Sequence, residues 1–389
     1  MGIKMAGKAR KPIYRLQVHD DKLNFTGFLV IDSLIYGLSA GGVRMRSGLT
    51  EREIARLARA MSHKFAAAQI PIGGAKSGID ADPRRPDKAD VMKRFGELIG
   101  PLLAEMYLAG EDMGTTRFDV ANIYRSAGVD PVAVAKKKMA AKGITIELPN
   151  YFDMLSNESN LEELMTGYGV GECAEEACRL LGMSLAGATV SIQGFGTVGS
   201  RTAQFLAQKG AKVVAVADVN GTVYRRDGLP VEQLVAARDE LGMMDRQKFD
   251  FDYEHLSRDD WLAVDADIII PAAVADAITK ANAGRITAKL VIEAGNIPAT
   301  AEAERQLQRN GIALVPDFIA NAGAACGFGL LLSGQTRFDP QAILQEIGHR
   351  IRIATAKVLE ASLKRKQLPR KAAEKIAEQE LAKIRQEFA

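Results

Sequence analysis

The chain has 389 residues, which at roughly 150 residues per domain predicts two or three domains. Its 51 Lys and Arg residues nearly balance its 48 Asp and Glu residues. The net charge is only +3, so the positive field that gathers nucleic acid is missing and we expect no nucleic-acid partner. No apolar run approaches the roughly 20 residues that span a bilayer, so we expect no membrane partner either.

The first half of the chain begins with strands and continues with a helix. Alternating apolar residues between Leu23 and Tyr36 indicate strands. Thr50 followed by Glu53 is a capping box, which predicts that a helix begins after Thr50. The apolar stripe of this helix comprises Ile54, Leu57, Ala58, Met61 and Phe65.

From about Thr189 the pattern becomes strand, helix, strand. A strand at 190–193 is followed by a helix that ends at Gln208 and by a strand at 212–217. The same spacing predicts a helix at 301–309 and strands at 267–271, 290–293 and 312–315. Strands that alternate with helices predict a parallel, doubly wound sheet, so the fold class is α/β. Residues 341–388 form a helical, charged segment with a break at Pro369, and we expect this segment to dock on the N-terminal domain.

A glycine-rich turn joins the strand at 190–193 to the following helix. It is a G-x-G-x-x-G motif made of Gly194, Phe195, Gly196, Thr197, Val198 and Gly199. Gly194 permits the tight turn, Gly196 lets a pyrophosphate approach the backbone, and Gly199 lets the helix pack on the strand. The alternative is a glycine-rich turn of some other α/β fold.

Asp218 ends the next predicted strand. An acidic residue at about this spacing accepts hydrogen bonds from the adenosine ribose and repels a 2′-phosphate. The pattern therefore predicts NAD as cofactor, with NADP less favoured. Arg225 and Arg226 lie close enough in sequence to soften the repulsion.

Two lysines in the first half stand out. Lys64 lies one step beyond the apolar stripe of the predicted helix, where its ammonium reaches solvent or meets an anion. Lys76 lies in the glycine-containing segment 71–78, which we interpret as a loop that substrate approaches closely. Burial in such a loop would lower the pKa of Lys76 towards neutrality. The alternative is two surface lysines.

A third segment, 106–116, is predicted to be a short strand that ends in Glu111 and Asp112. Because α/β folds place reactive groups at strand ends, one of these carboxylates is a candidate proton shuttle beside Lys76. The alternative is a turn in which Asp112 bonds its own backbone.

Together, these segments resemble the glutamate, leucine, phenylalanine and valine dehydrogenases. The motifs that carry the resemblance cover about residues 23–325 in the same order: Gly41-Gly42-Val43-Arg44, Met61-Ser62-His63-Lys64, Gly73-Gly74-Ala75-Lys76, Glu111-Asp112-Met113-Gly114-Thr115-Thr116, the glycine-rich turn, Pro271-Ala272-Ala273, Glu293-Ala294-Gly295-Asn296 and Pro316-Asp317-Phe318-Ile319-Ala320-Asn321-Ala322-Gly323. The resemblance implies a substrate-binding and oligomerisation domain at 1–160, completed by helices at 335–389, and a Rossmann dinucleotide-binding domain at 161–334.

The resemblance also implies roles for individual residues. Lys76 and Asp112 correspond to the catalytic lysine and aspartate, and Lys64 to the lysine that binds the substrate α-carboxylate. Further substrate contacts are implied for Ala40, Gly41, Gly42, Gly110, Asn321 and Phe328. Beside the glycine-rich turn and Asp218, cofactor contacts are implied for Thr166, Ala272, Ala273 and Asn296. The implied reaction is NAD-dependent oxidative deamination of an L-amino acid to its 2-oxo acid and ammonia, by a homo-oligomer.

The class of substrate side chain is predicted from polar residues that the pocket lacks. The glutamate enzymes place a lysine and a serine where this chain has Ala40 and Phe328, and a buried carboxylate without a cation is strongly disfavoured. Gly110 resembles the phenylalanine enzymes and leaves room for a larger side chain. We therefore expect an apolar or aromatic amino acid. Segments 124–160 and 324–329 depart from the family pattern, and the alternatives are glutamate, a biosynthetic amino acid, or a catalytically silent subunit that binds cofactor.

The remaining residue counts concern redox state and metals. Cys173, Cys178 and Cys326 are odd in number and contain no C-x-x-C, and the four histidines lack ligand spacing. We therefore expect no disulfide framework, no metal site and a reducing, cytoplasmic location.

Overall fold

The computed structural model describes residues 11–155, 161–239, 242–365 and 367–387. Glu158, which lies in one of the divergent segments, and the last residue of the predicted C-terminal helical segment fall outside the described residues. The described chain divides into two compact units. Unit 1 contains the residues up to 155 together with 329–338 and 381–387, and unit 2 contains 161–328 and 339–380.

Unit 1 is built on a five-stranded mixed sheet. Its strands are Tyr14–Asp20 (β1), Phe25–Ile31 (β2), Ser39–Met45 (β3), Gly73–Asp80 (β4) and Tyr107–Glu111 (β5). Its helices are Glu51–Ala67 (α1), Lys88–Glu105 (α2), Arg117–Ala127 (α3), Pro131–Ala140 (α4) and Tyr151–Leu155 (α5). The strand order is β1-β2-β4-β3-β5, in which β3 runs parallel to both β4 and β5 and β2 runs antiparallel to β1 and β4.

Two sequence interpretations in this unit need correction. Residues 71–78 are not a loop, because 73–80 form the central strand β4. Thr50 does cap α1 by accepting the backbone N–H of Glu53, but the Glu53 carboxylate is paired with Arg44 and Arg46. The prediction that Thr50 caps α1 is therefore correct, but the Glu53 carboxylate pairs with two arginines and does not complete a capping box.

Unit 2 is the expected doubly wound α/β unit. Its strands are Thr189–Gln193 (β6), Lys212–Asp218 (β7), Gly221–Tyr224 (β8), Glu254–Leu256 (β9), Ile268–Pro271 (β10), Leu290–Ile292 (β11) and Ala313–Val315 (β12). Its helices are Leu161–Leu180 (α6), Thr197–Gln208 (α7), Val231–Ala237 (α8), Ala301–Arg309 (α9), Asp317–Ala320 (α10), Gly323–Leu332 (α11, of which the residues from Gly329 belong to unit 1), Pro340–Arg365 (α12) and Pro369–Glu387 (α13).

The sheet of unit 2 has the order β12-β11-β10-β6-β7-β8-β9. The five strands from β12 to β7 are parallel, while β8 and β9 add an antiparallel edge that the sequence did not predict. Strand order reverses at β6, so the carboxyl end of β6 is the switch point at which such sheets bind ligands. The glycine-rich turn begins there.

The C-terminal helices return to unit 1 only at their end. Residues 339–380 belong to unit 2, and the chain joins unit 1 from Leu381 onwards. The cause is packing and charge: the buried residues Ile343, Ile347 and Ile351 lie on α12, which packs on α6, and Arg370 of α13 pairs with three acidic residues of unit 2. Within the described residues, no helix is long and apolar enough to cross a membrane.

Candidate active site

The expected catalytic pair of unit 1 is assembled around one carboxylate oxygen. Lys76 Nζ lies 3.1 Å from Asp112 Oδ2, and Arg44 Nε donates to the same oxygen at 2.8 Å. Arg44 also pairs with Glu53 of α1 at 3.1 Å. All three members of the cluster are largely buried, since the Lys76, Arg44 and Asp112 side chains are 8%, 8% and 14% exposed. Lys76 is therefore not a surface lysine.

Strand geometry explains why these groups meet. Side chains alternate between the two faces of a strand, so Gly74, Lys76 and Gly78 share one face of β4. A Cβ on Gly74 would lie 2.0 Å from the Ser62 backbone nitrogen, and one on Gly78 would lie 2.6 Å from Ile54 Cδ1. Lys76 therefore points to the α1 side of the sheet.

Asp112 is fixed by the turn that follows β5. Its N–H donates to Thr115 Oγ1 at 3.0 Å, and the Thr115 hydroxyl donates to Val43 O at 2.7 Å. A Cβ on Gly114 would lie 1.9 Å from Met45 O, so this turn requires glycine there. The threonine holds the turn, which leaves the Asp112 carboxylate for Arg44 and Lys76.

Burial and charge act on the pKa values of this cluster in different directions. Burial lowers the pKa of Lys76, Asp112 opposes this, and Arg44 lowers it further, so the net pKa is below the ordinary lysine value. Burial raises the pKa of Asp112, but the charges of Lys76 and Arg44 outweigh burial and hold that pKa well below its ordinary range. Asp112 is therefore ionised throughout the neutral range, and Lys76 releases its proton more readily than an exposed lysine.

Arg44 is the member of this cluster that sequence reasoning missed. It belongs to the Gly41-Gly42-Val43-Arg44 motif, but the motif alone gave the arginine no role. The register of the two parallel strands explains the contact. Val43 of β3 pairs with Glu111 of β5, which brings the residues that follow them, Arg44 and Asp112, side by side.

The expected substrate-binding glycines of unit 1 differ in whether the sheet leaves room for a side chain. Gly41 and Gly42 are required by the sheet, since a Cβ there would lie 1.8 Å from Ala75 O and 2.4 Å from Glu111 O respectively. By contrast, no described atom lies within 4 Å of the position a Cβ would take on Gly110. Gly110 pairs with Gly42 across β3 and β5.

Alternation puts Gly110 on the same face as Asp112, with Ala40 partly exposed at the start of β3. The space over Gly110 therefore lies on the catalytic side of the sheet. Lys64 lies half-buried in the last turn of α1.

In unit 2 the glycine-rich turn has the geometry of a phosphate-binding turn. Gly194 has φ +88°, and a Cβ on Gly199 would lie 2.0 Å from Gly194 O, so both glycines are required by the backbone. No described atom lies within 4 Å of the Cβ position of Gly196, the N-cap of α7, and no side chain caps this helix. Open space beside uncapped N–H donors fits a pyrophosphate. Phe195 is buried.

The other expected cofactor residues of unit 2 gather beside this turn. A Cβ on Gly194 would lie 2.7 Å from the Cβ of Ala273. Asn321 Nδ2 donates to Ala294 O at 3.1 Å and Gly295 O at 3.0 Å, and it lies 3.4 Å from Asn296 Oδ1. Among described atoms, the buried Asn321 Oδ1 has no hydrogen-bond partner, which suits it to accept from a ligand.

Two further predicted residues also lie in this unit. A Cβ on Gly323 would lie 2.8 Å from Thr166 Cα, which places Thr166 beside the segment that carries Asn321. Phe328 lies on α11 with 39% of its surface exposed.

Asp218 departs from the expectation. Arg246 donates to both of its oxygens, from Nη2 to Oδ1 at 2.8 Å and from Nη1 to Oδ2 at 3.0 Å. The N–H groups of Asn220 and Met244 occupy further positions on the same carboxylate. A ribose hydroxyl would therefore have to displace or share these partners, and the cation beside Asp218 is Arg246, not Arg225 or Arg226.

The segment that carries Arg246 also reaches the glycine-rich turn. A Cβ on Gly242 would lie 2.5 Å from the Gly196 backbone nitrogen. The segment therefore lies against both the phosphate side and the ribose side of the expected cofactor site.

Comparison with known proteins agrees with this architecture. The profile of the glutamate/leucine/phenylalanine/valine dehydrogenase family matches residues 159–387, and the dimerisation-domain profile of the same family matches residues 11–127. The chain is 33% identical over 304 residues to the catabolic NAD-specific glutamate dehydrogenase RocG of Bacillus subtilis, which covers 77% of this chain and 68% of that protein.

The chain is also 31% identical over 318 residues to an NADP-specific glutamate dehydrogenase of Saccharolobus shibatae, covering 79% of this chain and 71% of that protein. Its fold matches that of the hetero-hexameric glutamate dehydrogenase of Thermus thermophilus in a leucine-bound form, with a TM-score of 0.78, 24% identity and coverage of 97% and 90%. The chain therefore belongs to the glutamate/leucine/phenylalanine/valine dehydrogenase family of amino acid dehydrogenases.

Proposed function

We propose that the chain catalyses NAD-dependent oxidative deamination of an apolar or aromatic L-amino acid to its 2-oxo acid and ammonia, and the reverse reductive amination. The observation that carries this proposal is the buried Lys76–Asp112 pair on the same face of the sheet as the open space over Gly110. A bound NAD supplies the hydride acceptor for the Cα hydrogen. The dimerisation-domain match supports a homo-oligomer, and we propose that it acts in the cytoplasm.

The residues of unit 1 divide the chemistry between them. Lys64 binds the α-carboxylate, which fixes Cα for hydride removal. Neutral Lys76 accepts a proton at Nζ from the water that adds to the imine, and its ammonium then stabilises the oxygen at the same carbon.

Asp112 then accepts at Oδ2 the remaining proton of the added hydroxyl group and passes it to the amino group on the same carbon, so that the C–N bond breaks, ammonia leaves and the C=O bond of the 2-oxo acid forms. Its low pKa means that it starts each turnover ionised. Arg44 keeps the carboxylate in line with Lys76.

The side-chain preference follows from the residues near the open space. Ala40 offers no cation, so a glutamate side chain would bring its carboxylate to a neutral surface. Gly110 leaves room that an apolar side chain fills. The second candidate is the same reaction on glutamate, and it is favoured by relatives that are glutamate dehydrogenases.

The test is a panel of L-amino acids and of 2-oxo acids with ammonia, assayed with NAD and with NADP. We expect turnover with leucine, phenylalanine or a similar side chain, and little with glutamate. Preferred turnover of glutamate would replace the first proposal with the second. No turnover with any substrate, with NAD still bound, would identify a silent subunit.

A further inference from the structure

Arg370, in the first turn of α13, is surrounded by three buried carboxylates. Its guanidinium nitrogens lie 2.5 Å from Glu293 Oε2, 2.5 Å from Glu304 Oε1 and 2.7 Å from Asp317 Oδ1. The three acidic side chains are 0%, 3% and 3% exposed. All four residues lie in unit 2, apart from the reacting cluster around Lys76 in unit 1.

Two of these carboxylates fix the backbone next to the cofactor site. Glu293 Oε2 also accepts the Asp317 N–H at 2.9 Å, which ties the end of β11 to the start of α10. Asp317 Oδ2 accepts the Ile297 N–H at 2.9 Å. The turn at 294–297 is therefore held at both ends by partners of Arg370.

This turn is strained and carries expected cofactor contacts. Ile297 has φ +52°, a left-handed conformation that a β-branched residue adopts only when its surroundings enforce it. Asn296 lies inside the turn. Asn321, which follows α10, donates to the turn carbonyls. Displacement of either end would therefore move both asparagines.

The cluster depends on the charge of Arg370. Burial raises the pKa of Glu293, Arg370 lowers it, and the nearby Asp317 and Glu304 raise it further. Without the guanidinium, the three buried carboxylates would lose the cation that they share, which is strongly unfavourable. They would take up protons or turn towards solvent, and the anchors of the turn would loosen.

We propose that Arg370 is a positioning residue for the reaction: it holds the 294–297 turn and α10 so that Asn296 and Asn321 meet cofactor and substrate. The inference rests on the proposed function for the contacts of these asparagines. The role of Arg370 in holding the 294–297 turn does not depend on the proposed function.

The test compares Arg370→Gln and Arg370→Lys with Lys357→Gln in the full-length protein. Lys357 is a matched control because it also pairs with α13, through Glu380 at 3.2 Å, but lies outside the cluster. Amide hydrogen exchange at Ile297 and Asp317 reports the turn without any ligand. NAD affinity and the separate values of kcat and KM report the site.

In Arg370→Gln we expect exchange at both amides to accelerate roughly tenfold or more, because the acidic side chains that accept these two N–H groups are no longer held by the guanidinium and their hydrogen bonds weaken. We expect kcat to fall by up to about a hundredfold and NAD affinity to weaken, with partial rescue in Arg370→Lys. Lys357→Gln should change none of these. If Arg370→Gln does not fold, Arg370→Gln with Glu304→Gln, which buries one carboxylate fewer, takes its place.

Unchanged exchange at Ile297 would overturn the inference. So would faster exchange with NAD affinity and kcat at wild-type values, because Arg370 would then be merely structural. Failure of the wild-type protein to bind NAD at all would contradict the proposed function but leave the exchange result to decide whether Arg370 holds the turn.

Discussion

Replacing Arg44 by glutamine should move the pH dependence of turnover, not merely reduce the rate. Arg44 and Lys76 share Asp112 Oδ2, so their nitrogens lie no more than about 6 Å apart. At an effective dielectric constant of about 20, their repulsion is about 3 kcal/mol, which favours the neutral form of Lys76 by about a hundredfold. Water admitted around the smaller side chain offsets part of this difference, so we expect the pKa of Lys76 to rise and its neutral fraction at a given pH to fall about ten- to a hundredfold.

The direction in which the pH dependence of kcat moves follows from the protonation state in which Lys76 acts as a base. Because neutral Lys76 accepts the proton from water, kcat for oxidative deamination rises with pH through the Lys76 pKa. A higher pKa in Arg44→Gln therefore shifts this limb to higher pH. At pH values below this limb, kcat of Arg44→Gln is about ten- to a hundredfold lower than that of the wild type, because the neutral fraction of Lys76 is lower by the same factor.

The assay is kcat against pH at saturating substrate for wild type, Arg44→Gln and Arg44→Lys, with thermal unfolding recorded on each. Arg44→Lys keeps the charge and should keep the limb near its wild-type position. A uniform loss of rate in Arg44→Gln with the limb unmoved would refute the electrostatic role and leave Arg44 as a structural contact.

Further substitutions test the other parts of the site. Lys76→Ala should lower kcat by about 10²- to 10⁴-fold and leave the NAD dissociation constant unchanged; parallel loss of both would refute its role. Ala40→Lys should raise kcat/KM for glutamate about tenfold or more. Gly110→Ala should leave the melting temperature unchanged and lower kcat/KM for the largest accepted substrate about tenfold or more, whereas equal losses for small and large substrates would contradict its place in the pocket. Arg246→Ser should lower the NADP/NAD ratio of kcat/KM roughly tenfold, because Asp218 then repels a 2′-phosphate without a neighbouring cation.

Local patterns predicted unit 2 well because its elements are short, periodic and bounded by glycine. The end of the helix at Gln208 and both bounds of the helix at 301–309 were predicted as the structure has them. The β8–β9 edge was missed because about thirty residues, which include the helix α8, separate the two strands, and pairing over such a distance leaves no local period in the sequence. The placement of 339–380 was missed because it depends on Arg370 finding three carboxylates from distant segments.

The same limit applies to the site. Lys76 was predicted from its glycine-containing segment and Asp112 from its place at a strand end, and the resemblance supported both. Arg44, the partner that sets their charge state, is brought to them by the register of β3 and β5. Similarly, Asp218 was predicted from its spacing after the glycine-rich turn, while Arg246 lies 28 residues further along. In each case the residue type was visible in the sequence, and the neighbour that controls its chemistry was not.

The glycines of the site fall into those that the fold requires and those that leave space for a ligand. In the sequence, Gly41, Gly110, Gly196 and Gly199 all belong to glycine-containing motifs. In the structure, a Cβ on Gly41 or Gly199 would lie 1.8 or 2.0 Å from a backbone oxygen, so the fold itself excludes any other residue there. Gly110 and Gly196 face open space, and nothing in the described chain requires them to be glycine. A glycine whose missing side chain the protein does not fill is free to leave that volume to a ligand, and these two glycines lie beside Lys76–Asp112 and at the uncapped start of α7 respectively.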